Sequence, residues 1–158
     1  MVKKWKTIKL NKDLSPKSII ERYESRNIVV SHFVKNIYIN SKNKLNYPDM
    51  EDIDLFKVKL SYLGFNKQTE LQSFYSKILS EGYNLVNPLV ALISREHYLE
   101  QKNREWLRFA TPHDGLIDTD GTPHLIKLGK ALNIFFIETY WSYPKAIFHP
   151  HNEFIISK

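Results

Sequence analysis

The chain of 158 residues contains no cysteine. This excludes disulfides, thiolate zinc sites and a cysteine nucleophile, and it accords with a reducing compartment. Glycine is scarce, at five residues. There is no phosphate loop, no Gly-x-Gly-x-x-Gly turn, no Gly-x-Ser-x-Gly elbow and no His-Glu-x-x-His helix. A nucleotide-driven motor, a dinucleotide oxidoreductase and an α/β-hydrolase are therefore disfavoured. No uninterrupted apolar run approaches the roughly 20 residues that a membrane-spanning helix needs. The first ten residues place Lys3, Lys4, Lys6 and Lys9 among their apolar neighbours, which is not the pattern of a signal peptide. The expectation is a soluble, cytoplasmic protein with no membrane association, no cofactor and no metal.

Charge is plentiful but unevenly placed. Residues 1–47 carry eleven Lys/Arg against three Asp/Glu, residues 48–82 four against six, and residues 83–158 eight of each. The net charge of +6 is thus a regional surplus. Such a surplus is the footprint expected for a phosphate-rich or acidic partner, because each neutralised phosphate releases condensed counterions. A solvated lysine-rich face has the same composition. The candidate contacts are Lys3, Lys4, Lys6 and Lys9 around Trp5, the lysines for phosphates and the indole for stacking on an unpaired base. The competing reading is a lysine-rich edge strand whose charges deter edge-to-edge pairing, with Trp5 packed on the core.

Periodicity divides the chain. Ser15-Pro16 is a helix start, and Ile19, Ile20 and Tyr23 form its apolar face. Val30, Phe33, Val34, Ile37 and Tyr38 repeat with helical spacing, although the β-branched run Ile28 to Val30 also suits a strand. Residues 40–49 are polar and non-periodic, a loop and a possible weak subdomain boundary. Phe56, Val58 and Leu60 alternate with Lys57 and Lys59 as a half-buried strand would. Thr69 and Gln72 have capping-box spacing ahead of the stripe Leu71, Phe74, Tyr75, Ile78 and Leu79, and Gly82 is placed to end that helix. After Asn87-Pro88, the segment from Leu89 to Ile93 fits either a helix or a buried strand. From Glu105 onward the pattern changes to short β-like runs separated by turn signals at Asp120-Gly121, Gly129, Ser142-Tyr143-Pro144 and His149-Pro150-His151-Asn152. These features predict a single α+β domain over 1–158, helical in its N-terminal two thirds, with a mostly antiparallel sheet in the C-terminal third.

Groups able to do chemistry gather between Thr111 and Ile126. His113, Asp114, Asp118, Asp120 and His124 could form an acid-base or metal-assisted hydrolytic site, with His149 and His151 as further candidates. Imidazole exchanges protons near neutral pH, and a carboxylate can orient it or share a cation with it. The groups lie among Pro and Gly, so their directions do not follow from spacing. Asp118-Thr119-Asp120-Gly121 lacks the ligand positions of a calcium loop. The structural alternative is that Asp120-Gly121 makes a tight hairpin turn while Pro112 and Pro123 mark strand ends. Tyr140, Trp141, Tyr143 and Phe148 could line a protein-binding groove or finish a core. No catalytic residue is assigned. The expected function is a small non-catalytic interaction module whose basic N-terminal region binds an acidic partner, nucleic acid or protein. The alternatives are a His/Asp-dependent or metal-assisted hydrolase acting on a phosphodiester, and an oligomer-forming or partner-neutralising protein.

Overall fold

Strands begin almost at the first residue. In the computed structural model, which describes residues 1–11, 13, 15–40, 43, 45–47 and 52–158, β1 (Lys3–Lys9) pairs antiparallel with β3 (Asp52–Lys59), and β3 with β9 (Glu153–Ser157). The last of these runs parallel to β5 (Trp106–Phe109), which pairs antiparallel with β6 (His124–Ala131); β6 pairs antiparallel with β7 (Ile134–Trp141). A parallel pairing to β2 (Val29–Val30) completes a seven-stranded sheet of order β1-β3-β9-β5-β6-β7-β2. β4 (Thr69–Glu70) and β8 (Ile147–Phe148) form a separate antiparallel pair.

The helices are short: α1 (Pro16–Ser25), α2 (His32–Lys35), α3 (Leu71–Ser80) and α4 (Pro88–Ile93). The architecture is a sheet-dominant α+β fold, which overturns the expectation of a helical first two thirds with the sheet confined to the last third. Three strands of the large sheet lie within the first 59 residues. The physical reason is that β1 and β3 are joined by non-local pairing. Lysine-rich β1 offers little apolar alternation and becomes a strand by pairing with β3, whose alternation of Phe56 and Val58 with Lys57 and Lys59 the sequence does show.

Helices cover both faces of the sheet. On the first face α1, α2 and α4 pack against Ile8, Leu55, Leu107, Phe109, Leu128 and Ile155. On the second, α3 packs Leu71, Phe74, Tyr75 and Ile78 against Val58, Leu125, Phe154 and Ile156. The Tyr23 hydroxyl of α1 donates to the Leu92 carbonyl of α4 at 2.5 Å.

Local signals were met unevenly. Ser15 caps α1, its Oγ accepting from the Ser18 amide at 3.2 Å, and Asn87 caps α4 through Leu89 N–H at 2.8 Å, so that segment is helix rather than strand. The expected second helix is divided: Val30 belongs to β2, Ser31 caps α2, and the chain continues as a π-helical turn over Asn36–Asn40. The Thr69-Gln72 capping box does not form. Thr69 lies opposite Phe148 in β4, and the first amides of α3 instead donate to Ala146 O (2.8 Å) and Pro144 O (2.9 Å). Leu79 points away from the stripe and is exposed. Leu60 begins a 3-10 turn rather than continuing β3. Half of the loop at 40–49 lies outside the described residues.

Gly129 is not a turn. It sits inside β6 opposite Phe136, and the Trp106 ring of β5 lies over it so closely that a Cβ there would fall 2.1 Å from a ring carbon. The turn between β6 and β7 is Leu132-Asn133, both at positive φ (50° and 61°), a two-residue hairpin of the type that favours Asn-Gly. Leu132 is 89% exposed and gains nothing from packing that would offset this backbone conformation. Leu132→Asn is therefore expected to stabilise the fold by about 0.5–1 kcal/mol, read as a raised denaturation midpoint at unchanged slope.

Arg95 is fully buried. Its guanidinium donates to Gln101 Oε1 (2.7 Å), Tyr98 O (2.6 Å), Phe136 O (3.1 Å) and Gly129 O (3.2 Å), and lies 4.7 Å from the Phe135 ring centre. Burial lowers its pKa to about 10 against the favourable pull of Tyr23, Tyr98 and nearby glutamates. Carbonyl dipoles and an aromatic face thus solvate the charge.

Candidate functional site

The His/Asp cluster divides between the two faces of the sheet. His113 follows the end of β5; its Nδ1–H donates to Ser142 O at 2.7 Å, the Ser142 hydroxyl donates back to His113 O, and its ring lies 4.7 Å from that of Tyr75 in α3. His124 opens β6 and lies on the side of α2, with its ring 5.0 Å from Phe33 and 5.2 Å from Trp141. Asp114 and Asp120 are exposed. Of the five candidates, only Asp118 and His124 are joined.

That pair is buried. His124 Nε2–H donates to Asp118 Oδ2 at 2.8 Å, and its Nδ1 is bonded to Thr139 Oγ1 at 2.9 Å. The other Asp118 oxygen accepts from the Asp120 and Thr122 amides, both at 2.9 Å, while Gly121 at φ 84° turns the chain between them. Every oxygen of Asp118 and both nitrogens of His124 are occupied, and His124 is 1% exposed. The arrangement closes the 118–122 turn onto β6 and β7. Burial pushes the Asp118 carboxyl up, but the hydrogen bonds from His124, Thr122 and Asp120 outweigh it and hold the group below the ordinary carboxylate range. A depressed folded-state pKa means that the stabilisation is complete above about pH 3.9 and is lost as pH falls through the lower folded value. Asp118→Asn is expected to flatten that part of the acid-unfolding curve, measured by circular dichroism between pH 5 and pH 2 (~3 pH units spanning the carboxylate range). An unchanged acid limb would mean that Asp118 contributes nothing to it.

His149 and His151 are exposed on the turn before β9, their rings stacked at 5.6 Å. Among the described residues no three His, Cys, Asp or Glu side chains converge as a metal-binding group. Tyr140, Trp141 and Tyr143 are exposed, whereas Phe148 is 2% exposed and packs under Phe154 in the core below α3.

The N-terminal lysines lie along the edge strand β1. Lys4 pairs with Asp54 at 3.0 Å and Lys6 with Glu100, while Lys3 and Lys9 are exposed. The strand shifts register between Lys4 and Lys6, and this bulge turns Trp5 inward onto Tyr98 (5.0 Å) and Phe109 (5.9 Å), both edge-on. Lys3, Lys4 and Trp5 border a cavity of about 320 Å³ whose wall is completed by Lys57, Lys59, Tyr62 and Glu153. The β3 lysines, read from sequence only as the polar half of an alternating strand, become part of the basic cluster through the pairing of Lys3 with Lys57. Lys57 reaches Glu105 and Glu153 at 3.7 Å each, and Lys59 lies 5.8 Å from the Tyr62 ring centre.

No protein-family model matches the chain, and neither a curated protein nor a solved structure does. Among the described residues no helix is long and apolar enough to cross a membrane. The functional reading therefore rests on the chain's own geometry.

Proposed function

We propose that the protein is a small non-catalytic binding module whose basic N-terminal region meets an acidic partner, nucleic acid or an acidic protein face. The carrying observation is the cavity bordered by the lysines of β1 and β3. Lys3 stands directly opposite Lys57 across the two strands; Glu105 and Glu153 already counter Lys57, whereas the Lys3 charge has no such neighbour among the described ion pairs. Among the described residues neither Lys3 nor Lys59 has an ion-pair partner, so both ammonium groups are free to meet phosphate or carboxylate. Trp5 contributes a wall rather than a stacking surface, because its ring is turned onto Tyr98 and Phe109.

The test is fluorescence anisotropy with labelled single-stranded RNA, duplex DNA and an Asp/Glu-rich peptide, at low and near-physiological salt. Binding that weakens steeply with salt and falls at least about tenfold in a Lys3→Gln/Lys59→Gln variant is the expected result. No salt-sensitive binding of any of the three probes at low salt would overturn the reading.

A second reading, hydrolysis of a phosphodiester, has one observation in its favour: Thr139, His124 and Asp118 form a continuous hydroxyl, imidazole and carboxylate chain. On that reading Thr139→Val and His124→Gln would abolish turnover of bis(p-nitrophenyl) phosphate with the fold retained. Equal turnover in wild type and both variants would remove the chain from any mechanism. The buried ring and its occupied nitrogens favour the binding module.

A further inference from the structure

The second face of the sheet carries a separate cationic cluster beyond the cover of α3. Arg108 of β5 and Lys127 of β6 are directly opposite each other in the strand register and project on the same side. Trp106 and Tyr140 accompany them on that face: Lys127 Nζ lies 4.4 Å from the Trp106 ring centre and 5.6 Å from that of Tyr140, and the Arg108 guanidinium lies 5.8 Å from Tyr140 and from Phe148. Arg108 Nε is buried without an acceptor. Glu138 is the cross-strand neighbour of Lys127, yet among the described residues neither cation has an ion-pair partner. Tyr140 is 37% exposed.

Two cations held face to face at half-buried positions are costly for a fold to keep without a counter-ion. Burial lowers the pKa of both groups, and for Lys127 the repulsion of Arg108 adds to it against the pull of Glu138. Aromatic rings stabilise a cation, but they leave unused the hydrogen-bond donors of a guanidinium, a group suited to bidentate contact with phosphate. The rings themselves suit a planar partner, since a base stacked on an aromatic side chain contributes about 1–3 kcal/mol.

We propose that this face binds a nucleoside phosphate unit, its phosphate held between Arg108 and Lys127 and its base laid against Tyr140 and the outer edge of Trp106. The unit can belong to a free nucleotide or to single-stranded nucleic acid. The site is distinct from the lysine cavity. Along one register row Val58, at the cavity wall, is followed by Phe154 and then Arg108, and the buried Phe154 lies beneath Phe74 of α3.

The test titrates UMP, a labelled eight-nucleotide single-stranded RNA (~8 nucleotides, within the span of a small binding fold) and inorganic phosphate into the full chain and into two variants. Arg108→Met and Lys127→Met keep the apolar stems and remove the charges. Saturable binding of UMP or RNA, weakened at least about tenfold in each variant and more tightly than inorganic phosphate, is the expected result, with Tyr140→Leu weakening it severalfold. RNA binding tighter than UMP assigns nucleic acid, and equal affinity assigns the free nucleotide; both support the site. Phosphate binding as tightly as UMP, affinity unchanged in both variants, or no binding at low salt would each overturn it. A second readout separates the site from a structural role. Cations kept for a ligand are expected to leave melting temperature unchanged or raised when replaced, whereas a marked fall in both variants would show that they staple the fold and would overturn the proposal. The Lys3→Gln/Lys59→Gln variant retains UMP binding, a probe the lysine-cavity test does not use, so failure here and failure of the lysine-cavity reading are distinguishable.

Discussion

Arg95→Ala is expected to lose about 3–5 kcal/mol of folding stability, the largest single effect in the molecule. Two costs add. The substitution empties the volume of a fully buried side chain, and it leaves the carbonyls of Tyr98, Gly129 and Phe136 and the amide oxygen of Gln101 without the donor they now share. Gln101 is itself buried and donates to Glu105 O and Leu128 O, so the loss propagates into the 98–105 connection and the β6 backbone. Against a typical total of about 5–15 kcal/mol, one substitution would bring the domain near its unfolding threshold. Arg95→Met separates the costs by filling the space without supplying donors, and its loss should lie between wild type and alanine. Denaturant unfolding of the three proteins measures both. A loss below about 1 kcal/mol in Arg95→Ala would mean that desolvating the guanidinium cancels what its hydrogen bonds return.

Gly129→Ala should be the next most damaging change, at about 1–3 kcal/mol. The added methyl cannot coexist with the Trp106 ring, whose nearest three carbons lie 2.1, 2.4 and 2.6 Å from its position. Either the ring swings off β6 or the β5 and β6 strands separate. The first outcome also moves the indole from beneath Lys127 Nζ, so the change should shift tryptophan fluorescence as well as the unfolding midpoint. Trp106→Leu in the Gly129→Ala background removes the clash. A double-mutant cycle should therefore show a coupling of at least about 1 kcal/mol, and additive losses would rule out the ring contact as the cause.

These two positions mark where sequence reasoning stopped. Gly129 has the composition of a turn, and only the register of β5 against β6 shows that a neighbouring indole requires its missing side chain. Arg95 lies in a short segment of Ser, Arg, Glu and His, and nothing in that composition marks it as buried. Its burial follows from the 3-10 turn after α4 directing it beneath β6 and β7. Leu132-Asn133 carries no glycine, so the sequence pattern points to the glycine three positions earlier although the hairpin turns at 132–133. For the His/Asp cluster, residue types were legible but directions were not. Asp118 and His124 are joined across a turn, while His113 reaches the opposite face to meet Tyr75.

The sequence by itself determined what depends on neighbours a few residues apart: the Ser15-Pro16 start of α1, the buried stripe of α3, the Asn87 cap of α4, the strand character of residues 106–109 and 134–141, and the absence of thiol chemistry. Tertiary structure alone decided what depends on pairing across the chain. It chose, of the two arrangements the sequence left open for residues 3–9, the sheet edge with Trp5 packed against the core, set Lys3 opposite Lys57 and Arg108 opposite Lys127, and buried Arg95 among carbonyls. Strand register has a period of two and is chosen by the partner strand, so a chain read alone shows which residues alternate but not which charges will face each other.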